Sequence, residues 1–126
     1  MKPLTFLTVL AAILAGSCAH RETAAVSHTV VIWLKSPGNA DHRRTIIDET
    51  ERLASIPGVL SLSVGPCIPS ERAIVDSSFD VALTMTFPSV EAMNRYTAHP
   101  LHRRMVEEKL MPLVKKIKVF DFLIRR

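Results

Sequence analysis

Apolar and polar residues alternate in two short stretches of this chain, which is typical of half-buried β-strands, and two further stretches are rich in β-branched or apolar residues and are also predicted to be strands. Val59 to Pro66 shows it most strictly, with Leu60, Leu62 and Val64 on one side and serines on the other. The predicted strands are residues 28–35 (HTVVIWLK), 59–66 (VLSLSVGP), 80–87 (DVALTMTF) and 117–124 (IKVFDFLI).

Two further segments repeat apolar residues at helical spacing. The first is predicted to begin at a cap on Asn39 or Asp41 and to stop at residues 56–58 (IPG). The second begins at Ser89, breaks before Pro100 and runs towards Pro112. Residues 68–79 have no period and are predicted to be a long loop.

The order β-α-β-β-α-β predicts an α+β protein with the ferredoxin-like plait, in which helices cover one face of an antiparallel four-stranded sheet. Residues 28–124 form this single domain. Strands one and four also carry apolar side chains on the second face, including Trp33, Phe120 and Phe122. We therefore expect a homodimer in which two sheets stack face to face and enclose a barrel.

Residues 1–17 are predicted to be a secretory signal peptide. Lys2 gives a positive start, and the apolar run at residues 4–14 is too short for a bilayer-spanning helix, which needs roughly 20 residues. The following segment, residues 14–18 (LAGSC), resembles a bacterial lipobox. The resemblance predicts cleavage before Cys18 and a lipid on its thiol.

The predicted lipid would attach the chain to the bacterial cell envelope. Ala19 after Cys18 resembles the signal for the periplasmic face of the outer membrane, with residues 18–27 as the lipidated cysteine and tether. The alternative is a soluble secreted or periplasmic protein. The net charge of +4 comes without basic residues interleaved with aromatic ones, so no nucleic-acid partner is expected. Cys67 is predicted to be a buried, inert thiol.

Several segments together resemble the stress-responsive A/B barrel (Dabb) family. They span residues 27–123 and are His28 at the start of strand one, residues 56–59 (IPGV), Gly65, Phe79-Asp80, Phe87 with residues 89–92 (SVEA), residues 96–102 (YTAHPLH) and residues 119–122 (VFDF). The resemblance implies a ferredoxin-like protomer that dimerises into an α+β barrel. A few plant and microbial members of this family cyclise polyketide chains without metal or cofactor, using a tyrosine and a histidine placed like Tyr96 and His102.

Residues 96–102 (YTAHPLH) carry the candidate chemistry. On an unbroken helix Tyr96 and His102 would point about 120° apart, but a break at Pro100 would turn both towards one pocket. His102 would then lie in a first helical turn, where the helix dipole keeps an imidazole neutral and suited to act as a base. Tyr96 would donate a hydrogen bond to a substrate carbonyl.

Three further residues are candidates for ligand contact: His28, His99 and Trp33. Each also has a structural interpretation, of which the helix cap at His99 is the simplest. His99 and His102 have a spacing that helices use for metals, and Asp80 or Asp121 could join them. The chain has no HExxH or CxxC motif, so neither a metal nor a cofactor is predicted.

These features leave three functions open. The favoured one is binding of a small apolar molecule in the dimeric barrel, in a protein of the stress-response type. The second is a cofactor-independent lyase or cyclase that uses His102 and Tyr96 as catalytic residues. The third is a structural module whose function is dimerisation itself. The exported leader departs from the cytosolic pattern common in the family, which argues against a polyketide substrate.

Overall fold

The computed structural model describes residues 24–125, and within this range the chain follows the predicted β-α-β-β-α-β order. The signal peptide and Cys18 lie outside the described residues. The strands are β1 (Val26–Leu34), β2 (Ser61–Pro66), β3 (Val81–Phe87) and β4 (Val114–Leu123). The helices are α1 (Ala40–Glu51) with a 3₁₀ turn (Arg52–Ser55), α2 (Val90–Ala98), and α3 (Pro100–Met105) with a π-helical turn (Val106–Leu110).

The four strands form one antiparallel sheet in the order β2-β3-β1-β4, so β2 and β4 are its edges. The predicted ferredoxin-like α+β fold is therefore confirmed. The helices cover one face, and alternate residues of β3 are buried against them, from Val81 to Phe87. Within residues 24–125, no helix is long and apolar enough to cross a membrane.

The second face of the sheet is open in the single chain. Phe120 and Phe122 on β4 are 51% and 56% exposed. The indole of Trp33 lies on this face too, where its Nε1 donates a hydrogen bond of 3.0 Å to Ser78 of the long loop. An apolar face of this kind needs a cover that residues 24–125 of one chain do not supply.

The two long helices begin at side-chain caps. The Asn39 side chain accepts a hydrogen bond from the backbone N–H of His42 at 2.9 Å, so Asn39 rather than Asp41 caps α1. Ser89 accepts from the N–H of Ala92 at 3.1 Å and caps α2. Each cap satisfies one of the amide groups that the first turn of a helix leaves free.

A buried carboxylate clamps the turn between β1 and α1. Asp80 is only 6% exposed and accepts hydrogen bonds from the backbone N–H groups of Leu34, at 2.9 Å, and Gly38, at 2.7 Å. Gly38 adopts a φ of 73°, a left-handed conformation that favours glycine. Asp80 therefore stabilises the turn between β1 and α1 by bonding backbone groups on both sides of it.

One sequence prediction in the loop is wrong. Cys67 is half-buried rather than buried, because it follows edge strand β2 at the start of the loop. Its Sγ atom lies 3.6 Å from the carbonyl oxygen of Ile68.

Candidate functional site

A cavity of about 280 Å³ lies inside the protomer, between the helix-covered face of the sheet and the helices. Apolar side chains from β1, β3, β4, the 3₁₀ turn, α3 and the π-helical turn form most of its wall. The polar residues of the wall are His28, Thr50, Tyr96, Thr97 and His102. Most ligand sites share this composition, in which an apolar pocket holds a few polar groups that orient the ligand.

The break between α2 and α3 brings the two predicted catalytic residues together. His99 is extended, with φ −65° and ψ 136°, and Pro100 begins α3. Residues before a proline favour this conformation. The rings of Tyr96 and His102 consequently lie side by side on the cavity wall, with their centroids 4.7 Å apart.

His102 has a defined tautomer. Its Nδ1 lies 3.0 Å from the backbone carbonyl oxygen of Thr97, which can only accept, so Nδ1 carries the hydrogen. In the neutral ring Nε2 then has a free lone pair. Burial lowers the pKa of His102, and His28 and His99 lower it further, while the hydrogen bond to Thr97 opposes them. His102 thus has the properties of a general base near neutral pH.

Tyr96 is a buried phenol whose hydroxyl is available. The residue is 2% exposed, and burial raises the pKa of Tyr96 well above its usual range. The Tyr96 side chain therefore stays protonated at physiological pH. Within residues 24–125 its hydroxyl makes no hydrogen bond, although its ring packs against Phe87 with centroids 5.0 Å apart.

His28 is held by a carboxylate that the sequence interpretation considered only as a metal ligand. The Nδ1 of His28 lies 2.6 Å from Oδ1 of Asp121, its direct partner across the β1–β4 ladder. The His28 ring is 6.2 Å from the Tyr96 ring, centroid to centroid. The register of β1 against β4 makes this pair, and a sequence gives that register only when both strand boundaries are known.

Two of the predicted ligand contacts do not line the cavity. His99 caps α3, where its Nδ1 accepts a hydrogen bond of 3.2 Å from the backbone N–H of Leu101. Trp33 faces the open side of the sheet, and Lys116 Nζ lies 4.7 Å from the centroid of its ring. Cys18 lies outside the described residues.

Thr50 was missed by the sequence interpretation because it looked like one residue of a helix face. It lines the cavity from α1 and is fully buried.

Among residues 24–125, no three His, Cys, Asp or Glu side chains are grouped in a way that could hold a metal ion.

The plait and its cavity define a small ferredoxin-like α+β domain. Residues 26–124 match the family model of the "Stress responsive A/B Barrel Domain", Dabb, and the chain belongs to this family. A stress-response A/B barrel domain-containing protein of Arabidopsis thaliana is 27% identical over 101 residues. That match covers 80% of this chain but only 37% of the longer plant protein.

Two solved structures show the same fold. One is a dimeric ferredoxin-like protein of unknown function from Thermobifida fusca, with a TM-score of 0.66 and 16% identity, covering 82% of this chain and 93% of that one. The other is the hydroxynitrile lyase of Passiflora edulis, with a TM-score of 0.71 and 22% identity, covering 81% of this chain and 94% of that one. Structures similar to this chain thus include a dimer and an enzyme.

Proposed function

We propose that each protomer binds a small, uncharged carbonyl compound in its cavity, and that His102 and Tyr96 move a proton at the carbon next to the carbonyl. The observation that carries this proposal is the contact between the rings of Tyr96 and His102 on the wall of a largely apolar cavity, with their centroids 4.7 Å apart. A base and a hydrogen-bond donor side by side are what enolisation requires.

The cavity limits the size and polarity of the ligand. A cavity of about 150 Å³ is large enough to bind benzene, and the one here has about 280 Å³. An aromatic ring or short aliphatic chain with one or two substituents fits that volume. The apolar wall favours a neutral compound, because a buried charge without a partner is strongly unfavourable.

The proposed chemistry uses only groups of the chain. Nε2 of His102 takes a proton from the carbon next to the carbonyl. The electron pair of that C–H bond forms a C=C bond with the carbonyl carbon, and the π pair of the carbonyl moves to its oxygen. The Tyr96 hydroxyl donates a hydrogen bond to the oxygen and stabilises the negative charge that develops there. Return of the proton from His102 to carbon completes the cycle, and the same enolate supports aldol-type formation or cleavage of a C–C bond.

His28 supplies a second fixed group beside the reacting atoms. When its Nδ1–H donates to Asp121, the neutral ring presents Nε2 as an acceptor. An acceptor beside Tyr96 can orient a substrate hydroxyl or a water molecule. Asp121 acts through His28 and is a positioning residue in this scheme.

Hydrogen–deuterium exchange tests the proposed chemistry without knowledge of the natural substrate. Small ketones, beginning with acetophenone and cyclohexanone, are incubated with the protein in D2O, and loss of the α-proton signal is followed by NMR. We expect exchange faster than in buffer and a loss of roughly 10²-fold or more in His102→Gln, in line with general-base catalysis. Tyr96→Phe is expected to reduce the rate, whereas Thr45→Val, an exposed substitution on α1, should not change it.

Ligand binding without catalysis is the second candidate, and it is favoured by the predominance of apolar residues in the wall. It predicts that the ketones bind but do not exchange their α-protons, and that His102→Gln still binds them. Exchange that depends on His102 would exclude this candidate.

Assembly and location complete the proposal. We infer a homodimer in which the open sheet faces stack, since Phe120 and Phe122 are exposed there and a similar structure is a dimer. If the cavity bound no compound, this dimer itself would be the function.

A lipid on Cys18 and a place in the cell envelope remain predictions from the leader. Cys18→Ser should move the protein from the membrane fraction to the soluble one, and no change would contradict the anchor.

A further inference from the structure

Among the threonines that the structure describes, only Thr50 has a hydroxyl that forms no hydrogen bond. The other five, Thr29, Thr45, Thr84, Thr86 and Thr97, all place their hydroxyl in a hydrogen bond with a protein group. Thr50 is fully buried, and no group within residues 24–125 forms a hydrogen bond with its Oγ1. Its neighbour Thr45, on the same helix, instead bonds the carbonyl of Asp41 one turn earlier at 3.0 Å.

An unpaired buried hydroxyl is unfavourable, because the group has lost its hydrogen bonds to water without replacement. Valine has nearly the shape of threonine and would fill the same space without this cost. The hydroxyl therefore needs an explanation beyond packing.

The position of Thr50 supplies that explanation. Thr50 lines the same cavity as Tyr96 and His102, but it comes from α1, whereas they come from α2 and α3. A ligand held by Tyr96 would thus lie against Thr50 on another element of the same wall, where rotation of the Thr50 side chain would bring its enclosed hydroxyl to the ligand. A hydroxyl both donates and accepts, so either an alcohol or a carbonyl oxygen satisfies it.

We propose that Thr50 determines specificity by binding a second oxygen of the ligand, so that the cavity prefers a hydroxy or dicarbonyl compound over the matching compound with one carbonyl. This inference rests on the proposed function, in which the first carbonyl binds Tyr96. Sites that hydrogen-bond a substrate hydroxyl discriminate against the analogue without it, because the protein group is then left unpaired.

Matched ligands and matched variants test this proposal. Binding of acetophenone and of its 2-, 3- and 4-hydroxy isomers to the purified protein is measured by titration calorimetry. We expect at least one isomer to bind roughly three- to tenfold more tightly than acetophenone, the range of one net hydrogen bond. Thr50→Val should reduce this ratio to about one, while Thr50→Ser should retain it.

Thr45→Val is the control, because it makes the same chemical change on the same helix outside the cavity. It should leave the preference unchanged. Circular dichroism verifies that each variant folds, and Thr50→Ala replaces Thr50→Val if the latter does not. A preference that survives in the folded Val or Ala variant overturns the role of Thr50.

The outcomes separate this inference from the proposed function. If acetophenone binds, and binds more weakly to Tyr96→Phe, but no hydroxy isomer binds better, the role of Thr50 is wrong and the carbonyl site stands. If none of the four compounds binds the wild-type protein, both the carbonyl site and the role of Thr50 are overturned.

Discussion

The backbone carbonyl of Thr97 decides which nitrogen of His102 can act as a base. It lies in the last turn of α2, where carbonyl groups have no partner within the helix. By accepting from Nδ1 it leaves Nε2 with the lone pair. The residues at positions 96–102 suggested a base and a donor, but the tautomer depends on a hydrogen bond that only the folded break between the helices creates.

The lowered pKa of His102 sets the pH dependence of the proposed reaction. Neutral His102 is the active form, and its ordinary pKa is about 6.5. Burial is the main cause of the shift below that value. The rate of α-proton exchange should therefore stay level through neutral pH and fall in acid with a midpoint below about 6.5.

The same shift affects stability in the same direction. Because the folded pKa lies below the unfolded one, protons bind the unfolded chain more tightly. The stability that His102 contributes is therefore present above the unfolded pKa and is lost as the pH falls through the folded pKa.

A control variant tests the rate profile. His99→Asn, which keeps a capping side chain, should retain the fall of the exchange rate in acid. A midpoint above about 6.5 would show that another group is the base.

Thr50 should be replaceable without loss of stability. Thr50→Val removes an unpaired hydroxyl and keeps the side-chain volume, so the free energy of unfolding should rise by about 1 kcal/mol. Urea unfolding of the ligand-free protein measures this, with Thr45→Val, which loses an exposed hydrogen bond, as the comparison. A decrease on Thr50→Val would show that the hydroxyl is satisfied in the folded protein.

At the scale of elements, the apolar pattern was sufficient to predict the order of strands and helices. In β3 every second residue is buried as the alternation requires. Asn39 was one of two caps predicted for the first helix, Ser89 was the predicted start of the second, and each caps its helix. Local patterns succeed here because burial on one face of the sheet imposes them.

Other features depend on contacts between distant parts of the chain, and local patterns do not show them. The strand β4 begins at Val114, three residues before its predicted start, because Val114 pairs with Leu34 beyond an irregularity in the ladder. The π-helical turn at Val106–Leu110 has no sequence signal that we recognised. The pairing of His28 with Asp121 likewise needs the register of two strands far apart in sequence.

The buried carboxylate of Asp80 should be costly to remove. Asp80→Ala leaves the buried N–H of Leu34 without its partner and frees the turn at Gly38, so we expect the free energy of unfolding to fall by about 3 kcal/mol. Urea unfolding followed by circular dichroism measures the loss. Asp76→Ala, in the exposed loop, is the control and should have little effect; an equal loss in both variants would contradict the clamp.

At the scale of the molecule, the sheet separates two kinds of apolar surface. One face, with Ile32 and Met85 fully buried, packs against the helices and forms the cavity. The other, with Phe120 and Phe122, is exposed in one chain. The cavity lies on the helix-covered side of the sheet, within one chain, and binding of a ligand in the barrel between two stacked sheets stays a prediction.

A charge on the open face should dissociate the inferred homodimer. Phe122→Glu would bury an unpaired carboxylate between the stacked sheets, so sedimentation should change from dimer to monomer. Leu60→Glu is the matched control, since Leu60 is similarly exposed, at 60%, but lies outside β2 and off the open face. Dimers that persist in Phe122→Glu would place the interface elsewhere.

The position of β4 at an edge of the sheet has one more consequence. An edge strand presents free backbone groups that invite pairing with strands of other molecules and, eventually, aggregation. Lys115, Lys116 and Lys118 are exposed along β4, and two such edges would repel each other on approach. This repulsion disfavours pairing of β4 with a strand of another molecule. Asp121, which lies on β4, therefore keeps its place opposite His28.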